Sequence, residues 1–225
     1  MRGTKETPHD GLKRRRRSCA LASLAAVIAT VGDLLMLYVA NAGRPELDLA
    51  AARPAVLWIG GVLGVVAIPL YLLGYRAAAR LVAAGYERHA RVIVGAGTLG
   101  SVLGAVIHGY TAFFIRDGLA SGASAKDPLA AVAGSPLLLT LWAVATLLVV
   151  AVSVAFTTAA RRGVPGVPRG LAWANPALVT IALSLVGSVT PMSRAFIVPA
   201  APNLAHVVFF VACLRGMKLE MARRP

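Results

Sequence analysis

Six runs of apolar residues, each close to twenty long and separated by short basic or Pro/Gly-rich breaks, set the pattern of this chain; they cover about 18–40, 55–74, 92–115, 135–158, 171–190 and 201–217. At about 1.5 Å per residue, a helical run of this length crosses a hydrocarbon layer of about 30 Å. Lipid offers no hydrogen-bond partner to a backbone N–H or C=O, so such runs must be helices. The pattern predicts an all-α fold, a polytopic transmembrane bundle of six helices. Residues 1–17 form a basic tail and 18–225 one six-helix transmembrane domain, since the connections are too short to hold a soluble domain.

The chain carries a formal net charge of +14. In a soluble protein this would point to nucleic acid, but the positions of the cations point to topology. Of the 23 Lys and Arg residues, 18 fall in the N-terminal tail, the second and fourth connections and the C-terminus. A bias this strong predicts an even number of spans with both termini cytoplasmic. The Lys13-Arg14-Arg15-Arg16-Arg17 run then reads as a topology anchor in contact with anionic lipid, and no nucleic-acid partner is expected. Ala40-Asn41-Ala42 has the form of a signal cleavage site, but the preceding apolar run is about twice the usual length and carries Asp33, so it is expected to be retained. The weight of Ala, Arg, Gly and Val suggests a GC-rich bacterial genome and hence a plasma (inner) membrane.

Ionisable residues inside spans are costly, by at least about 2.5 to 3.5 kcal/mol at the helix centre, and mark candidate sites. Asp33 lies in the first span, His108 in the third, and Asn203 and His206 in the sixth. His108 follows the small-residue face Gly97, Gly100, Ser101, Gly104, which predicts that it points at other helices. In the first span Ser23, Ala26, Thr30 and Asp33 form a similar stripe. With the expected topology, Asp33, His108 and His206 fall about 4 to 7 Å outside the midplane at about 1.5 Å per residue. Tyr38, Tyr110, Arg116 and Arg194 lie toward the same mouth, Arg194 on an expected loop from Pro191 to Pro199. Together these residues predict an outward-facing pocket with a cationic rim.

Three chemistries suit that set. Asp and His in contact can shuttle a proton or bind a polar group, so Asp33, His108 and His206 are candidate catalytic residues, and Asp33, His108, Asn203, His206, Arg116 and Arg194 candidate ligand-binding residues for a lipid-like molecule. Two histidines and a carboxylate are also a ligand set for zinc or iron, but no HExxH, HxxxH or CxxC spacing accompanies them, so no metal and no cofactor is expected. The third reading is a buried hydrogen-bond network that fixes helix register without chemistry. A proton-coupled transporter of six spans would require a homo-oligomer, and no clear internal repeat supports it. A structural or regulatory membrane subunit remains the other alternative. Nucleophilic and phosphate-loop motifs are missing. Cys19 and Cys213 read as small apolar residues, and a disulfide is not expected.

Gly32-Asp33, His108-Gly109 and Pro202-Asn203-x-x-His206-x-x-Phe209-Phe210 together resemble a group of uncharacterised bacterial six-span membrane proteins, over nearly the whole chain. That resemblance implies the six-helix fold and no reaction. Ceramidase-like hydrolases, with seven spans and a His-x-x-x-His pair, and the sterol-isomerase fold, with fewer spans and several embedded acids, fit less well.

Overall fold

The structure is a computed structural model that describes residues 8–39, 52–120, 134–164 and 167–222. The first seven residues, the Ala40-Asn41-Ala42 segment, Arg44, Lys126, Arg223 and Arg224 lie outside the described residues. Every regular element described is helical: α1 (Pro8–Asp33), α2 (Pro54–Ala67), α3 (Tyr71–Val82), α4 (Glu87–Ala120), α5 (Pro136–Arg161), α6 (Pro176–Gly187) and α7 (Pro191–Ala222). A π-helical segment, Leu34–Val39, continues α1, and a 3-10 turn, Ile68–Leu70, joins α2 to α3. Five helical stretches are long and apolar enough to cross a membrane: Asp10–Tyr38, Pro54–Val82, Glu87–Gly118, Pro136–Arg161 and Pro191–Leu219.

Three stretches differ from the sequence reading. The fifth run, 171–190, folds as a 3-10 turn, Arg169–Ala174, followed by the 12-residue α6. Asn175 divides them: its Oδ1 accepts from the Leu178 N–H and caps α6, while its Nδ2 donates to the Ala172 carbonyl and to Thr157 Oγ1. The expected loop from Pro191 to Pro199 is instead the start of α7, where Pro at the first helical position is tolerated because its missing N–H would be unpaired anyway. Arg194 is therefore on a helix. The stretch after Tyr75, beyond the second run as drawn to residue 74, is helical to Val82 with Ala77, Ala78, Ala79, Leu81 and Val82 buried. Its arginines, Arg76 and Arg80, face outward between those apolar positions.

Helices α1 and α7 pack antiparallel along their whole length. Cys19 meets Cys213, Asp33 meets Asn203, and Tyr38 meets Met192, so the position on one helix falls as the position on the other rises. Consequently α1 begins and α7 ends at the same end of the bundle. Helices α2 and α3 pack antiparallel to both α1 and α4. The core between α1, α3 and α7 is built from small side chains, Ala22, Ala25, Ala26 and Ala29 of α1 against Ala77 and Ala78 of α3, filled out by Phe209 and Phe210 of α7. Small residues let helix backbones approach, which is how association is driven where lipid removes the hydrophobic incentive. Hydroxyls on the helices mostly bond their own preceding turn: Ser23 to Cys19, Thr30 to Ala26, Ser101 to Gly97 and Ser188 to Ser184.

Candidate functional site

The contact between α1 and α2 is close enough that their backbones nearly touch. A Cβ on Gly32 would lie 2.8 Å from the Gly60 carbonyl oxygen, and one on Gly64 would overlap the His108 ring. Glycines at these positions are what admit the imidazole between α1, α2 and α4. The same stretch of α1 then supplies Asp33, immediately before the helix widens into its π-helical segment. Such local widening is common beside functional residues.

Around Asp33 the polar groups form a chain across four helices. Tyr71 of α3 donates its O–H to Asn203 Oδ1 at 2.7 Å, and Asn203 Nδ2 of α7 donates to Asp33 Oδ2 at 2.6 Å. On the other side, His108 Nδ1 of α4 lies 3.5 Å from Asp33 Oδ1. The amide of Asn203 is thereby oriented: its NH2 must face the carboxyl and its oxygen must face the phenol. All four side chains are buried.

A second polar pair stacks beside the first. Tyr75 Oη and His206 Nε2 are 2.6 Å apart, and His206 Nδ1 is 2.6 Å from the Pro202 carbonyl. A carbonyl only accepts, so Nδ1 carries a proton and donates to it, which in the neutral ring leaves Nε2 to accept the Tyr75 O–H. The Tyr71 and His206 rings lie 4.8 Å apart at 30°, which joins the two pairs through ring contact. Pro199 and Pro202 lie inside α7 and lack the N–H groups that the Ala195 and Val198 carbonyls would otherwise receive. Pro69, in the 3-10 turn, precedes Tyr71 by two residues. Three of the four helices that meet here are therefore irregular next to the residue they contribute.

His108 is the unbalanced member. Its Nδ1 faces Asp33 and the Gly60 carbonyl interacts with its ring, yet among the described residues Nε2 is buried without a hydrogen-bond partner. Buried polar atoms are paired in the large majority of cases, so an orphan nitrogen on a carboxylate-oriented imidazole needs an explanation.

Of the residues expected to form a site, Asp33, His108 and Asn203 come together, and His206 joins them through Tyr71. Arg116 does not. It is ion-paired with Asp117 at 2.9 Å on the outside of α4, with its guanidinium 4.9 Å from the Phe113 ring centroid and 5.6 Å from that of Trp58. Arg194 is exposed in the first turns of α7, and Tyr110 stacks on Phe114. Tyr38 packs edge-on against Phe196. The two histidines and the aspartate do not converge on one point, and among the described residues no group of three His, Cys, Asp or Glu side chains could hold a metal ion. Sequence reasoning missed Tyr71 and Tyr75. Their signal was available: two phenols at i, i+4, so on one face, directly after a proline break.

An all-helical bundle with five helices fit to cross a bilayer and a buried Asp–Asn–Tyr–His network is a polytopic membrane protein. The chain belongs to the family described as a family of unknown function, DUF6796, whose model matches residues 6–220. No curated protein and no solved structure matches it.

Proposed function

We propose that the protein crosses the plasma membrane of a bacterium six times, with both ends cytoplasmic, and that Asp33 and His108 receive the polar group of a lipid-like small molecule. The helical rises of the 3-10 turn Arg169–Ala174 and of α6 sum to about 30 Å, with the extended Asn175 between them, which supports a sixth crossing. The cation bias sets its direction. Arg116 and Arg194 stand at the end of the bundle far from the termini, where a guanidinium over Trp58 and Phe113 suits the membrane–water interface.

The observation that carries the binding reading is the orphan Nε2 of His108. With its proton on Nδ1, which faces Asp33 at 3.5 Å, the neutral ring leaves Nε2 as an acceptor or base. A hydroxyl or acid group on a ligand would supply the missing donor. Asn203 and Tyr71 hold the Asp33 carboxyl in place for this, and His206, bonded to Tyr75, packs against the Tyr71 ring. Native mass spectrometry of the protein released from mild detergent tests it, wild type against His108→Gln. A small-molecule mass that disappears in the variant, with the melting temperature nearly kept, supports the reading. A bare polypeptide mass in both, with a less stable variant, makes the network a packing device of a structural or regulatory subunit.

Proton-coupled transport is the second reading, favoured by the helix irregularities at Leu34–Val39, Pro69 and Pro199/Pro202, which are places where helices bend. Vesicles carrying the reconstituted protein, assayed over a broad substrate panel, would show flux driven by a pH gradient that Asp33→Asn abolishes; no such flux would remove this reading.

A further inference from the structure

The buried Nε2 of His108 lies in the seam where α1 packs on α2. A Cβ on Gly32 of α1 would stand 3.1 Å from Nε2, 2.8 Å from the Gly60 carbonyl oxygen and 3.4 Å from the Gly64 amide nitrogen of α2. Two glycine backbones thus close over this nitrogen, and no ligand group reaches it while they do.

One turn further along α1 a side chain closes the same seam. A Cβ on Gly60 would lie 2.7 Å from Met36 Cγ, and one on Gly61 would lie 3.9 Å from Met36 Sδ. Met36 is 2% exposed and packs with Leu57 of α2 and with Ala112 and Ile115 of α4, apart from the alanine core of α1, α3 and α7. Ala112 stands one turn beyond His108 on α4, so this cluster covers the histidine from the end of the bundle far from the termini.

Met36 belongs to the π-helical segment Leu34–Val39, which begins directly after Asp33. Such turns are rare and are among the few places where a helix bends sharply. The tip of the segment is held by weak contacts: Tyr38 donates its O–H to Met192 Sδ at 3.5 Å and meets Phe196 edge-on at 5.6 Å. Thioether sulfur is a poor acceptor. The stretch of α7 that carries Met192 and Phe196 precedes Pro199 and Pro202, which deprive it of two helical hydrogen bonds. The cover over Nε2 is therefore irregular at its root and weakly tethered at its tip, and its plug is an unbranched, flexible side chain.

We propose that Leu34–Val39 is a gate, whose outward swing draws Met36 from the seam between α1 and α2 and opens a path to His108 Nε2 from the end far from the termini. The inference rests on the reading of His108 as the group that receives a ligand, and adds the route and the moving part. Closed, the gate keeps water from the Asp33–His108 pair. Open, it admits an apolar molecule past Met36, Leu57 and Ile115 with its polar group leading.

The test reads access to Nε2 without a ligand. Diethyl pyrocarbonate ethoxycarbonylates neutral imidazole nitrogens, and peptide mass spectrometry of the full chain treated in mild detergent gives the rate at each histidine. His206, buried with its Nε2 bonded to Tyr75, reports general loosening of the bundle. Tyr38→Ala removes the tether at the tip and should raise the rate at His108 about fivefold or more relative to that at His206. Met36→Ala removes the plug and should do the same, whereas Met36→Leu keeps the bulk and should stay within about twofold of wild type. An unchanged rate at His108 in both alanine variants, or a rise matched at His206 in both, would overturn the gate. Neither result bears on whether a ligand mass disappears in His108→Gln, so the failure of the gate and the failure of the binding reading are told apart.

Discussion

Helices α1 and α5 are both long enough to cross a bilayer, but α5 is the more apolar of the two and the less buried. Leu137, Leu139, Leu147 and Val154 of α5 face outward, whereas α1 encloses Cys19, Ala22, Ala25, Ala26, Ala29 and Asp33. Hydropathy in this protein thus reports contact with lipid, and small residues report contact with other helices. Polar residues follow the second signal. Every member of the buried network lies on a helix face that is packed against another helix, and the lipid-facing surface of α5 is bare of charge.

The contrast is broken most severely by putting volume where α1, α2 and α4 meet. Gly64→Val places a Cβ inside the His108 ring, so the ring must leave Asp33 or α2 must leave α4. Overpacking of this kind should cost about 3 kcal/mol. Thermal melting in detergent reads it, and an unchanged melting temperature would mean that the helices do not approach as described.

Next in size is the removal of Asn203. Asn203→Leu deletes the donor to Asp33 and the acceptor for Tyr71 together, leaving two buried polar groups without their partner, at about 1–3 kcal/mol. Asp33→Asn keeps the shape and a hydrogen-bonding group, so it should cost less stability than Asn203→Leu. If the order is reversed, the carboxylate itself, not its partner, holds the helices together. Tyr75→Phe is gentler, since it removes one oxygen and leaves the aromatic packing against Phe209 and Phe210. Transmembrane hydrogen bonds average about 0.6 kcal/mol, and this one should fall near that value.

How much of this could be read beforehand differs between features for physical reasons. Helices were legible because hydrocarbon forces any long apolar run to satisfy its own backbone. The convergence of Asp33, His108 and Asn203 was legible because a buried ionisable group must find partners, and the glycine and alanine faces gave their direction. Tyr71 and Tyr75 were not, because Tyr is at home at a membrane interface and carries no penalty that singles it out in a sequence. The continuation of α3 to Val82 was hidden by Arg76 and Arg80. Long cationic side chains at a helix end can reach water while their backbone stays buried, so charge ended the apolar run before the helix ended. The start of α7 was concealed by Pro191, Pro199 and Pro202, which resemble a loop in sequence. In the structure those turns are helical and packed against both α1 and α6.

The smallest expected effect is also the one that tests the comparison from the lipid side. Leu147, in the middle of α5, is 69% exposed. Leu147→Ala removes three carbons that face mostly outward, where lipid or detergent closes over the gap, so no cavity forms. Because lipid tails are as apolar as leucine, neither state gains from the contact, and the change in stability should stay within about 0.5 kcal/mol. A loss above that obtained with Tyr75→Phe would require a protein surface over Leu147. A second copy of the chain is the simplest such surface, and the loss would then depend on protein concentration, as the stability of an oligomer does and that of a single bundle in lipid does not.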